Sequence, residues 1–309
     1  MALGKGRKSS RKSVSLMSSK SKLPYIYLLP AMIFFILFMA YPILNVFFYS
    51  FQNYNITKPY LNGFVGIKNF VQVLSQDAVF KSSLLVSLKW VVSQVILQLI
   101  LGLFVALILN QDFAGRGMCR AVVFAPWAVS GVLTSMLWAL IYNENMGVLN
   151  DILLKIGLID TRVAWVSSYD TTFWALSVAE LWRGLPFFSI MLLAGLQGIS
   201  LDMYEAADVD GCSRWQRLVY ITLPQLKNTI VLSTLLRAVW EFNNVDVIYN
   251  LTGGGPVNQT TTLTMYLTQT AVRDNNFGYG SAIAVIAFLL LSVFAALYIK
   301  LTGFSKEEE

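Results

Sequence analysis

Six apolar runs set the terms for this chain: roughly Tyr25–Phe51, Leu84–Leu109, Ala121–Tyr142, Phe173–Leu196, Ile230–Leu251 and Ala282–Leu301. Each reaches the roughly 20 residues that a helix rising about 1.5 Å per residue needs to cross about 30 Å of hydrocarbon. Strict apolar–polar alternation is missing, which excludes a transmembrane barrel. Helices are then the remaining way to pair every backbone N–H and C=O in lipid. The expectation is an all-α polytopic membrane protein with six transmembrane helices. A composition that is 56% hydrophobic and 13% charged overrides the soluble domains that 309 residues would otherwise suggest.

Charge placement orients the spans. Residues 1–22 carry seven Lys and Arg (Lys5 to Lys22) with almost no apolar content and read as a disordered basic tail. The run that follows is too long, and lacks the small-residue cleavage site, for a signal peptide. With the N-terminus inside, the segments 1–22, 110–120, 197–228 and 300–309 hold 14 Lys and Arg, against 6 in 52–83, 143–171 and 251–277. That excess predicts both termini in the cytoplasm and a lipid-headgroup role for the tail. No folded basic surface accompanies it to suggest nucleic acid. The domain reading is therefore a tail, 1–22, and one membrane domain, 23–309.

A polar interruption lies between the fourth and fifth spans, at about 198–226, on the predicted cytoplasmic side. It reads as two short helices. Asp202 with Glu205 fits a capping box, Gly211 a left-handed helix end, Ser213 with Gln216 a second box, and Pro224 a break. Outside, Phe70, Val71 and Leu74 recur at helical spacing in a short interfacial helix, and Trp165 and Tyr169 fit headgroup anchors. Leu251-Thr-Gly-Gly-Gly-Pro256 is a turn cluster.

Several functions are excluded by residue type. There is no histidine, which removes imidazole bases, Ser–His and Cys–His pairs and His metal sites. Cys119 and Cys212 form no disulfide or zinc pattern. No GxxxxGK occurs, so a nucleotide-driven process needs a partner to bind the nucleotide. No catalytic residue, metal or cofactor is assigned to this chain.

Inside the spans, charges are costly unless paired or facing water, so each marks a candidate path. Glu180 and Arg183 lie three apart on the fourth span. Arg237, Glu241 and Asn244 follow at four and three on the fifth. Helix-stabilising ion pairs are the alternative. Gly184 and Pro186 are expected to loosen the fourth helix beside them, as at the broken helices of transport sites. Trp182 and Trp240 could stack on the ring face of a solute or pack within the bundle. Lys89 and Asp246 lie nearer the outer ends.

The polar loop also carries a resemblance. Glu205-Ala206-Ala207, Gly211, Ile221 and Leu223-Pro224 match the EAA–G–I–LP pattern of ABC-importer permeases at seven positions. Pro24-Tyr25, Tyr41-Pro42, Phe64-Val-Gly66, Trp182-Arg-Gly184, Pro186-Phe187, Ala194-Gly-Leu-Gln197 and Leu251–Pro256 resemble its carbohydrate-uptake branch, the maltose and glycerol-phosphate type. The resemblance implies a permease in a bacterial cytoplasmic (inner) membrane, paired with a second, related permease. It further implies two cytoplasmic ATPases that hold ATP and Mg, and an extracytoplasmic sugar-binding protein. Glu205, Ala206, Ala207, Asp210, Gly211, Leu223 and Pro224 would contact the ATPase, and Gly253, Gly254, Gly255 and Pro256 the binding protein. A gradient-driven transporter of a small polar solute is the alternative; a membrane enzyme acting on lipid-linked substrates fits less well.

Overall fold

The computed structural model describes residues 23–303, of which nearly all secondary structure is helical. The basic tail and the C-terminal six residues lie outside the described residues. The chain divides into two compact units at Asn45/Val46.

Residues 25–45 of the first unit belong to a 26-residue apolar helix, α1 (Tyr25–Ser50), and their large side chains are exposed. A π turn at Ile36–Ala40 stands just ahead of Pro42. Proline cannot donate to the carbonyl four residues back and collides with it; a widened turn removes that collision.

In the second unit an antiparallel pair, β1 (Gln52–Asn53) and β2 (Gly63–Phe64), precedes α2 (Lys68–Ser75). In α2, Val71 and Leu74 stay exposed while Asn69 and Val73 face inward. Asn69 Nδ2 donates to the carbonyls of Ser50 and Gln52, at 3.0 and 2.8 Å, and so fixes the end of the preceding helix. The long helices α3 (Ala78–Leu109) and α7 (Thr172–Gln197) pack against each other. Gly102 lets α3 approach Phe188, since a Cβ there would strike that side chain. Val95, Ala106, Leu109, Phe187, Leu192 and Leu196 complete this core.

Two expected spans depart from single straight helices. The third run bends by 101° between Arg116–Ala128, which contains α4 (Arg116–Phe124), and α5 (Gly131–Ile141). Ser130 restarts the helix there by accepting from Leu133 N at 3.3 Å. After α6 (Val148–Lys155) and α7, the fifth run forms α10 (Lys227–Asn243) and α11 (Asp246–Leu251), separated at Asn244 in extended geometry (φ −75, ψ 117). With α12 (Leu263–Thr268) and α13 (Phe277–Thr302), four described helices are long and apolar enough to cross a membrane, or five counting the bent pair. The third run counts only as a bent pair, and the fifth, interrupted at Asn244, is not among these helices. Pro186, by contrast, sits inside an unbroken α7. The expected loosening of the fourth helix does not occur; the break lies at Asn244.

The hairpin between α7 and α10 keeps most of its expected grammar. It contains α8 (Leu201–Val209) and α9 (Arg214–Arg217). Ser200, not Asp202, caps α8, accepting from Asp202 N at 3.3 Å, so the Asp202–Glu205 box is corrected to a cap two residues earlier. Gly211 has φ +75, and Ser213 and Gln216 form both halves of a capping box at 3.3 and 2.8 Å. Pro224 does not break the chain: a π turn at Leu218–Thr222 widens the helix ahead of it, and Thr222, Leu223 and Leu226 all keep helical angles. This repeats the pairing of π turn and proline in α1.

Candidate functional site

The site begins with the inward face of α3. Ser83, Ser87, Trp90, Gln94, Gln98, Gly102 and Ala106 recur three or four residues apart and are all buried. They form a polar and small stripe on a helix whose opposite face is Leu, Ile and Val. In lipid this is how a helix marks its protein-facing side, because unpaired polar groups are costly in hydrocarbon.

That stripe meets the charges of α7 and α10. Glu180 is fully buried and accepts from Arg183 Nε and Nη2, both at 3.1 Å, and from Arg237 Nη2 at 3.0 Å. Arg237 Nη2 also pairs with Glu241 Oε1 at 2.5 Å. Glu241, equally buried, accepts from Gln98 Nε2 at 2.9 Å and Trp90 Nε1 at 3.1 Å. Gln98 Nε2 also donates to Gln94 Oε1, and Gln94 Nε2 to the Ser177 carbonyl. Two ion pairs expected within single helices are therefore one lattice of two carboxylates and two guanidiniums joining three helices. Gly184 makes it possible, since a Cβ there would collide with Arg237 Nη2 and Gln98 Nε2. Its role is close approach rather than flexibility.

Beside the lattice lies a cavity of about 210 Å³ lined by Trp127, Arg183, Arg237, Trp240, Glu241 and Asn244. Four of the six expected path residues (Arg183, Trp240, Glu241 and Asn244) line it. Glu180 stands behind them, and Trp182 packs edge-on against Trp138 with ring centroids 6.3 Å apart. Asn244 reaches the cavity from the break between α10 and α11. Trp127 enters from the bend of the third run, and Trp240 leans on Phe187 at 5.1 Å. Two buried polar atoms of the lattice, Arg237 Nε and Gln98 Oε1, have no hydrogen-bond partner among the described residues. Among these residues no cluster of three or more His, Cys, Asp and Glu could hold a metal.

The sequence left out Trp90, Gln94, Gln98 and Trp127. The first three were signalled by their four-residue spacing inside an otherwise aliphatic run. Trp127 carried no such signal. Lys89 lies over the Phe173 ring at 3.9 Å, and Asp246 packs closely against Gly131; neither lines the cavity.

The two loops are built differently. In the hairpin, Arg217 pairs with Asp208 at 2.6 Å, and Tyr204 Oη lies 3.0 Å from Thr222 Oγ1, so its two arms are fastened together. Gly253 and Gly254 take φ +60 and +93, and their carbonyls accept from Gln269 Nε2 (2.8 Å) and Thr261 Oγ1 (3.0 Å). Thr260 Oγ1 donates to Gly255 O at 2.8 Å. The glycine loop is thus pinned carbonyl by carbonyl. Trp165 donates its indole N–H to Asn150 Oδ1 at 3.0 Å, while Tyr169 is exposed.

A broken, polar-lined bundle with a cavity inside it defines a membrane transport protein, and comparison with known proteins specifies which kind. Residues 98–302 match the family described as binding-protein-dependent transport system inner membrane component, and the chain belongs to it. It is 36% identical over 288 residues to the trehalose/maltose transport system permease protein MalF of Thermococcus litoralis, covering 93% of this chain and 96% of that protein. It is 33% identical to the sulfoquinovosyl glycerol transport system permease protein SmoG of Agrobacterium fabrum, over 90% of each chain. It is 31% identical to the trehalose transport system permease protein SugA of Mycobacterium tuberculosis, over 92% and 90%. In fold it matches a crystal structure of a bacterial ABC transporter that imports the acidic polysaccharide alginate, with a TM-score of 0.80 at 23% identity over 91% of this chain and 95% of that one. The chain is an inner-membrane permease of the carbohydrate-uptake ABC importers, and the gradient-driven alternative falls away.

Proposed function

We propose that this chain is one of two related permeases enclosing a carbohydrate path, with six membrane crossings and both termini in the cytoplasm. The interrupted third and fifth runs each count as one crossing. A soluble extracytoplasmic protein delivers the sugar, meeting Gly253–Pro256. Two ATPase subunits, holding ATP and Mg, act on the hairpin through Glu205, Ala206, Ala207, Asp210, Gly211, Leu223 and Pro224. The positive-inside distribution and the fastened, separately capped arms of the hairpin support this arrangement.

The observation that carries the reading is the cavity between Trp127 and Trp240 with a compensated charge lattice behind it. Indole faces suit the apolar faces of a pyranose, while Arg183, Glu241 and Asn244 offer donors and acceptors for hydroxyls. Each guanidinium is already matched by a carboxylate, which favours a neutral sugar over a sugar acid or phosphate. The relatives named for trehalose and maltose agree in kind. The irregular backbone at Asn244 lies where such a path tolerates it, beside a polar cavity.

The test is ATP hydrolysis by the complex that co-purifies with this chain, with its binding protein and a panel of neutral and anionic sugars. Stimulation by a neutral sugar, lost in Glu205→Lys, is expected. An intact chain that brings down no ATPase would overturn the reading.

A further inference from the structure

A second polar pocket, away from the charge lattice, joins the α2–α3 link to the α12–α13 link. Its centre is Asp77, the N-cap of α3. Asp77 Oδ1 accepts from Phe80 N at 2.9 Å, and Oδ2 accepts two phenol hydroxyls, Tyr266 at 2.6 Å and Tyr279 at 2.7 Å. Around it Gln72, Gln76, Asn276 and the two tyrosines line a cavity of about 300 Å³. Burial pushes the Asp77 carboxyl up, but the hydroxyls of Tyr266 and Tyr279 and the N–H groups of Phe80 and Val79 outweigh it. The group is held below its ordinary range and stays ionised.

The direction of these bonds decides what the pocket can receive. Both phenol hydrogens are committed to Asp77, so the phenol oxygens act toward other groups as acceptors, that of Tyr266 already taking a hydrogen bond from Thr270. Asp77 adds a negative charge, and the amides of Gln72 and Gln76 are exposed and make no hydrogen bond among the described residues. No cationic side chain lines the cavity: Lys81 Nζ donates to the Ser75 carbonyl, and Arg273 sits beside Asp274. Lysine and arginine only give, with three and five donors, and carry the charge that Asp77 lacks as a partner. The amides of Gln72, Gln76 and Asn276 can give as well as accept, so it is the one carboxylate without a cationic partner, flanked by two phenol oxygens, that makes the pocket complementary to a cation.

We infer that this pocket receives a lysine or arginine side chain of the soluble binding protein when that protein docks. The inference rests on the orientation and partnership proposed above, which place both links on the outer face.

The test uses the full transporter in lipid nanodiscs and its fluorescently labelled binding protein, with affinity read by anisotropy across a salt series. Gln76→Lys puts the chain's own ammonium into the pocket at an exposed position whose side chain makes no hydrogen bond among the described residues. It is expected to raise Kd roughly tenfold and to flatten the salt dependence, with melting temperature and basal ATP hydrolysis unchanged. Asp77→Asn, which removes the charge but also the acceptor of the two phenol hydroxyls, is expected to raise Kd and flatten the salt dependence likewise, with a lowered melting temperature. Affinity and salt slope equal to wild type in Gln76→Lys overturn the inference while leaving the importer reading intact. So does a pocket that binds free methylammonium with no effect on the binding protein. A wild-type complex that fails to bind the protein at all sinks the importer reading, and this inference with it.

Discussion

The charge lattice and the hairpin are both polar structures in an apolar chain, yet they are held in opposite ways. The hairpin is local: its cap, its box and its left-handed glycine each act over two or three residues, and its exposed surface keeps water as a fallback partner. The lattice is built across 57 residues between Glu180 and Arg237 and 143 between Gln98 and Glu241, with both carboxylates wholly buried. Where water is absent, losing one member strands the rest; where it is present, a lost partner is replaced. Local polar structure therefore degrades gradually, and the buried lattice all at once.

The sharpest way to break that contrast is Glu180→Leu, which leaves Arg183 and Arg237 facing one carboxylate. A loss of about 3–5 kcal/mol is expected in denaturant unfolding of the detergent-solubilised protein. Its double variant with Arg183→Leu should lose less than the two single changes summed, and simple additivity would count against a coupled lattice. Gly184→Ala comes next: its methyl would meet Arg237 and Gln98, at a cost of about 1–3 kcal/mol. A variant as stable as wild type would show that the lattice can shift.

The hairpin should respond more weakly and without global unfolding. Gly211→Ala meets no atom within 4 Å, so its cost is the left-handed backbone alone, about 1–2 kcal/mol, read as faster amide exchange confined to 200–226. Smaller still, Ser200→Ala should cost about 1 kcal/mol at the start of α8. Asp202→Ala should cost less there, and the reverse order would restore Asp202 as the cap.

The same contrast explains what could be read from the residues alone. Gly211 and the Ser213–Gln216 box were legible because cap chemistry is complete within a few residues. The displaced cap, Ser200 instead of Asp202, was a choice between two good capping residues two positions apart. The ion pairs were legible at three and four residues' spacing within one helix, but their fusion was not, because nothing in a one-dimensional spacing pairs α7 with α10. Gln94 and Gln98 were hidden by the aliphatic run around them. The interruption at Asn244 has no proline to announce it, while Pro186, which looks like a breaker, sits within a continuous helix.

The π turn at Leu218–Thr222 has a consequence for how the hairpin is aimed. It holds one residue more than the turn it replaces, and one residue of helix is worth about 100° of rotation. The widened turn absorbs that rotation, so the arm bearing exposed Trp215 and Tyr220 keeps its direction relative to α10. Deleting a single residue there would let the turn close as an ordinary α turn with the arm's direction kept, but would restore the collision ahead of Pro224.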